Sequence, residues 1–111
     1  MLRESITAIL ARNETWTGCA ASEPFEGGWA IEAVIFVRAL KPPVGPQPTA
    51  RIEISPDGMH WADEGTRLDL PAQEGEVRFA RLRRFGNWLR LAADFPDGSE
   101  SCLLVTVHLK G

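Results

Sequence analysis

The sequence predicts an all-β protein, an antiparallel β-sandwich of about eight strands, jelly-roll or discoidin-like, in a single domain spanning residues 1–111. Three features carry that expectation. Apolar residues recur with period two over much of the chain, the spacing of a strand with one buried face. Clusters of Gly, Pro and Asp punctuate these runs at intervals suited to short strands. Four prolines stand within Lys41-Pro42-Pro43-Val44-Gly45-Pro46-Gln47-Pro48, where they fix φ and remove backbone donors, so this segment is an extended connection between two strands.

The elements follow in order. Residues 5–10 and 15–19 read as two weak strands. Residues 29–40 are apolar on both faces around Val34-Ile35-Phe36-Val37, interrupted by Glu32 and Arg38, as in a central strand covered on both sides; the β-branched content favours strand over helix. In residues 49–54, Ala50, Ile52 and Ile54 alternate with Thr49, Arg51 and Glu53. Weaker strands follow at 66–70, 76–82 and 88–93. The last, 102–109, sets Leu103, Val105, Val107 and Leu109 on one face. The expected core is Val34, Phe36, Ile52, Ile54, Leu68, Leu70, Phe79, Leu89, Leu91, Val105 and Val107.

Composition narrows the function. A chain of 111 residues buries a core without metals or several disulfides, and its 44% hydrophobic and 24% charged residues are those of an ordinary folded domain. A net charge of −3 speaks against a general polyanion binder, so nucleic acid is disfavoured. The longest apolar run, residues 33–37, is far short of the ~20 a membrane-spanning helix needs. The first fourteen residues hold Glu4 and Glu14 and no continuous apolar segment, so no export signal is expected and the chain is placed in the cytoplasm or leaves by lysis. Cys19 and Cys102 form no CxxC pair and are expected as two reduced thiols.

Chemistry-bearing groups are sparse. His60, Asp63 and Glu64 lie near one turn with Asp57, but their spacing gives no tetrahedral set and His108 is remote in sequence. Ser55 sits in a turn and neither cysteine has a neighbouring histidine. No catalytic residue, metal or cofactor is expected, and the chain is not expected to be an enzyme.

The stretch Ser55-Pro56-Asp57-Gly58-Met59-His60-Trp61 first reverses the chain: Pro presets φ for a type I turn, Asp suits the next position, and Gly takes the left-handed conformation. Phe95-Pro96-Asp97-Gly98 has the same account. Turn chemistry leaves Trp61 unexplained. The run from Ile52 to Trp61 resembles the strand-S-x-DG-x-x-W hairpin of discoidin-like (coagulation-factor C-type) β-sandwich domains, and Trp88-Leu89-Arg90 is similar to their later aromatic-x-Arg strand. The same hairpin also recurs in small phage-type structural proteins. The resemblance spans roughly residues 29–92 and implies a sandwich in which Trp61 packs in the core or staples the hairpin. Residues 1–24 carry no run of Asp, Asn and Gly of the kind that forms ligand loops in such domains.

Two groups remain as a candidate contact surface. Residues 77–90 carry Arg78, Arg81, Arg83, Arg84 and Arg90 with Phe79, Phe85 and Trp88 and no acid. Such a set serves a solvated or cross-strand-paired face, a protein interface or, third, nucleic acid. Trp16 and Trp29 flank residues 19–28 and would form an aromatic platform of the sort that stacks on sugars. The expected function is a non-enzymatic structural or assembly protein, a phage virion component such as a head-decoration or tail-associated subunit. It would be made in the host cytoplasm, and its partners would be other copies of itself or a larger capsid or tail assembly. The alternative is a carbohydrate-binding module of discoidin-like lectin type, with glycan as partner.

Overall fold

Period-two alternation becomes strand almost wherever it occurs. The structure, a computed structural model, describes residues 5–111 and contains nine strands and no helix among them. They are β1 (Ser5–Trp16), β2 (Cys19–Ala21), β3 (Phe25–Glu26), β4 (Glu32–Ala39), β5 (Thr49–Ser55), β6 (Ala62–Asp69), β7 (Val77–Arg83), β8 (Trp88–Asp94) and β9 (Ser101–Lys110). A first sheet has the order β1-β9-β4-β7, and a second has β2-β8-β5-β6 with β3 also paired to β8. Every pairing is antiparallel.

The connectivity is nested. The first strand pairs with the last (β1 with β9), then β2 and β3 with β8, β4 with β7, and β5 with β6. With β2 and β3 taken as one interrupted strand, the chain is a single long hairpin rolled into two four-stranded sheets, the jelly-roll arrangement. Only β5 and β6 are consecutive strands of one sheet, so the SPDG turn between them is the tip of the whole roll. The second Pro-Asp-Gly site differs from its expected role. It joins β8 to β9, which lie in different sheets, and therefore turns a corner between layers instead of closing a hairpin.

Between the sheets, Ala33, Ile35, Val37 and Ala39 of β4, Ala80 and Leu82 of β7, and Leu103, Val105, Val107 and Leu109 of β9 face Ala50, Ile52, Leu68, Leu70, Leu89, Leu91 and Ala93. Ile54 is partly buried against them. The expected core residues Val34, Phe36 and Phe79 are not there: they belong to the opposite parity of β4 and β7 and lie on the outer face of the first sheet, with Phe79 48% exposed. Because β4 is apolar at both parities, alternation alone cannot say which face is inside, and the smaller set with its alanines is the one that fits between the layers.

The two N-terminal strands expected at 5–10 and 15–19 are one long strand, β1, and a separate short one, β2. Register shifts between Ile9 and Ala11 and between Ala11 and Glu14 mark bulges, and Asn13 takes φ 53°. They let Leu10 and Ala11 be buried consecutively and still bring Trp16 into the core, at 3% exposure. Cys19 is exposed and Cys102 buried, and both are free thiols.

Candidate functional site

The sandwich offers two outer faces of different character. On the second sheet the polar groups are closed on one another. Ser55 Oγ accepts the amides of Asp57 (3.2 Å) and Gly58 (2.8 Å) and donates to Asp57 Oδ1 (3.0 Å). Asp57 Oδ1 in turn accepts the amides of Met59 and His60, each at 2.9 Å, and Oδ2 pairs with His60 Nδ1 at 2.7 Å. The His60 amide, the His60 imidazole and the Met59 amide hold the Asp57 carboxyl well below the ordinary carboxylate range. This is a self-contained turn in which the Asp57 carboxylate is fully engaged and the His60 ring points largely into solvent.

Beside it, Glu53 projects outward between Ile52 and Ile54 and is 9% exposed. Its carboxylate takes Arg51 Nε at 2.9 Å and Arg90 Nη2 at 2.7 Å, while Arg51 Nη1 reaches Asp94 at 2.9 Å. Burial pushes Glu53 up, but the hydrogen bonds from Arg51 and Arg90 outweigh it and the carboxyl sits below its usual value. The Arg90 guanidinium stacks 4.2 Å from the Trp61 ring centre. Trp61, half-buried, therefore staples the hairpin to β8, as the packing role expected for it requires. Nothing in the residue pattern had singled out Glu53; the signal was an acid flanked by Ile52 and Ile54 with an arginine two residues before it.

The outer face of the first sheet is apolar and basic. Register sets Ile9, Thr106, Phe36 and Phe79 in one row across β1, β9, β4 and β7; Thr7, His108, Val34 and Arg81 in the next; and Ser5, Lys110, Glu32 and Arg83 in the third. On the other side of the aromatic row come Leu104, Arg38 and Val77. Ile9, Val77 and Phe79 are between 42% and 50% exposed. Phe36 packs against Phe79 (5.8 Å between ring centres) and edge-on to His108 (5.0 Å), and Arg81 lies 5.0 Å over the Phe79 ring. A groove of about 380 Å³ runs beside this row, lined among others by Glu32, Val34, Arg81, Arg83, His108 and Lys110. Among the described residues, Arg38, Arg81, Arg83 and Lys110 form no ion pair, in contrast to Arg51, Arg67, Arg78 and Arg90.

The residues singled out from sequence are thus dispersed. Arg81 and Arg83 lie on the first sheet's outer face; Arg78 is exposed on the same edge strand but paired with Glu76 at 3.0 Å. Arg84 occupies the corner between sheets at φ 51°. Beyond that corner Trp88 and Arg90 lie on the other sheet, Trp88 half-buried beneath Gly58 and Arg90 held by Glu53. Trp16 is a core residue and reaches no surface, so it forms no platform with Trp29, which is 40% exposed near Gly111. Among the described residues no three or more of His, Cys, Asp and Glu cluster so as to hold a metal ion. No helix there is long and apolar enough to cross a membrane.

No protein-family description matches the chain, and no curated protein matches it. Among solved structures it is similar to the SPBc2 prophage-derived protein YomS, at 8% identity and a TM-score of 0.64, with 100% of this chain and 96% of that chain covered. A weaker likeness, at 13% identity and a TM-score of 0.48, covers 97% of this chain and 86% of a chain from Bacillus endospore appendages described as a family of disulfide-linked pili. What the chain shares with the prophage-derived protein at so low an identity is the fold.

Proposed function

We propose that this chain is a non-enzymatic structural subunit of a phage virion, head-decorating or tail-associated, that works by docking on a larger protein assembly. One observation carries the docking: the outer face of the first sheet, where half-exposed Ile9, Val77 and Phe79 adjoin Phe36 and are flanked by Arg38, Arg81 and Arg83 without ion-pair partners among the described residues. Covering apolar surface gains about 25 cal/mol per Å², so such a face favours a partner. Aromatics and arginines are the side chains that anchor protein interfaces. The virion setting is supported by the fold likeness to a prophage-derived protein and by the use of jelly rolls as capsid domains, an analogy of fold.

The test is presence in particles. Tagged chain expressed during particle production in its own host is expected to co-sediment with purified particles, and Phe79→Glu is expected to abolish this while leaving thermal unfolding unchanged. A gene lying away from capsid and tail genes, together with particles free of the chain, sinks the proposal.

A further inference from the structure

The strand ends divide the charged groups unequally. The loops after β4, β6 and β8 gather at one end of the sandwich, because Ala39, Asp69 and Asp94 all terminate there. These three loops carry Glu74, Asp97 and Glu100, none ion-paired among the described residues, against the single Lys41, with Arg38 at the adjoining end of β4. In its midst Val44 is 49% exposed, held out by a two-bond bridge to Glu100 (2.9 Å each way). The outer face of the first sheet has the opposite sign: Arg38, Arg81, Arg83 and Lys110 against Glu32.

We propose that the apolar, basic face of the first sheet is the docking site for the acidic, Val44-bearing end of a second copy of this chain. It rests on the protein-docking function above and names the occupant. A face-to-face pairing of two copies would gather Arg38, Arg81, Arg83 and Lys110 of both against only their two Glu32 carboxylates, so like-charge repulsion disfavours it. Charge complementarity instead selects a head-to-side contact, with the carboxylates of Glu74, Asp97 and Glu100 over Arg81 and Arg83 and Val44 toward the Phe36–Phe79 pair. Such a contact is heterologous: each copy keeps one free face and one free end, and association continues into a ring or an open chain. One loop end on one sheet face is a small interface, so the association is weak and sensitive to salt.

The experiment uses the purified full-length chain in sedimentation velocity over a concentration series. At about 0.01 M salt, where the Debye length is ~30 Å, the mean mass is expected to rise with concentration; at about 1 M salt, where it is ~3 Å, the chain is expected to return to monomer. Arg81→Glu with Arg83→Glu, and separately Asp97→Lys with Glu100→Lys, are each expected to weaken association more than about tenfold. Mixing the two double variants restores it, because each then offers what the other lacks. All four positions are exposed, so circular dichroism and thermal melts should match the parent. A chain that stays monomeric at low salt overturns the proposal, even where it is found in particles. Association that neither double variant weakens, or that mixing fails to restore, overturns it too. Self-association with particles free of the chain upholds it while the virion role falls.

Discussion

Gly58 and Gly98 close two Pro-Asp-Gly turns with almost the same backbone, φ 80° and 82°, yet their surroundings differ. A Cβ on Gly58 would lie 3.2 Å from the Trp88 ring, whereas one on Gly98 would meet nothing within 4 Å. Gly98→Ala therefore costs only left-handed strain, about 1 kcal/mol, and Gly58→Ala costs that plus a displaced Trp88, about 2–3 kcal/mol. Urea denaturation of the two variants checks the difference; equal losses would mean that Trp88 yields freely. The carboxylates make a second prediction. Glu53, Asp57, Asp63 and Glu76 are all held below their ordinary values, Glu53 against its burial by the two arginines, and the others by hydrogen bonds, chiefly from the His60 amide, Arg67 and the Ala72 amide. In the unfolded chain they return to about 3.9 for Asp and 4.3 for Glu. Between those values and the lower folded ones the unfolded state binds more protons. The stabilisation is thus fully present above about pH 5 and is lost as pH falls through 4 toward the folded values. Glu53→Gln should cost about 2 kcal/mol at pH 7, less than a fully buried pair because Arg51 and Arg90 remain 28% and 27% exposed, and should make the acid loss shallower. Denaturant midpoints from pH 7 to 2.5 measure both.

At the scale of elements, the nested pairing makes β5–β6 the one pair that can form locally, across the six residues 56–61. The pairs β4–β7, β2–β8 and β1–β9 each close around those already made, at growing loop entropy. Folding should begin at the SPDG tip. Asp57→Ala, which removes the bonds to Met59 and His60, is then expected to slow refolding by most of its equilibrium effect. Val107→Ala, at a fully buried site of β9, should instead act mainly by speeding unfolding. Stopped-flow chevrons separate the two, and an Asp57→Ala variant that changes only the unfolding limb contradicts this order. The same elements show what the sequence made legible. Ile52, Leu68, Leu89, Leu91, Val105 and Val107 alternate cleanly with polar neighbours or lie on strands where only one parity is strongly apolar, and they are core as expected. Val34, Phe36 and Phe79 sit where both parities are apolar, and they turn outward. Their outward placement is what makes the outer face of the first sheet apolar, and that face is the one on which docking is proposed. The arginine segment was visible, but its chain crosses between sheets at residues 84–87, and a period-two pattern carries facing without saying which layer a strand joins.

At the scale of the whole molecule, the longest-range pairing brings the two ends of the described chain side by side, with Ser5 opposite Lys110. The β1–β9 ladder is the last turn of the roll, and closing it across roughly 100 residues is the largest loop cost the fold meets. Joining Gly111 to Ser5 by a short Gly-Ser linker and opening the chain between the exposed residues Lys41 and Pro42 turns that pairing into a local hairpin. Shortening the closure to on the order of 10 residues removes about 2 kcal/mol of loop entropy. Because this closure follows the rate-limiting step in the order set from the tip, the permuted chain is expected to refold at close to the parent's rate, with its far-ultraviolet spectrum unchanged. A second permutant opened between Gly58 and Met59 keeps the same final contacts but loses the tip, and it should refold more slowly than the parent. Refolding half-times of the three chains at one denaturant concentration decide the matter. Should the tip-opened chain refold as fast as the parent, the roll does not wind from SPDG, and the turn closes the β5–β6 hairpin without starting the fold.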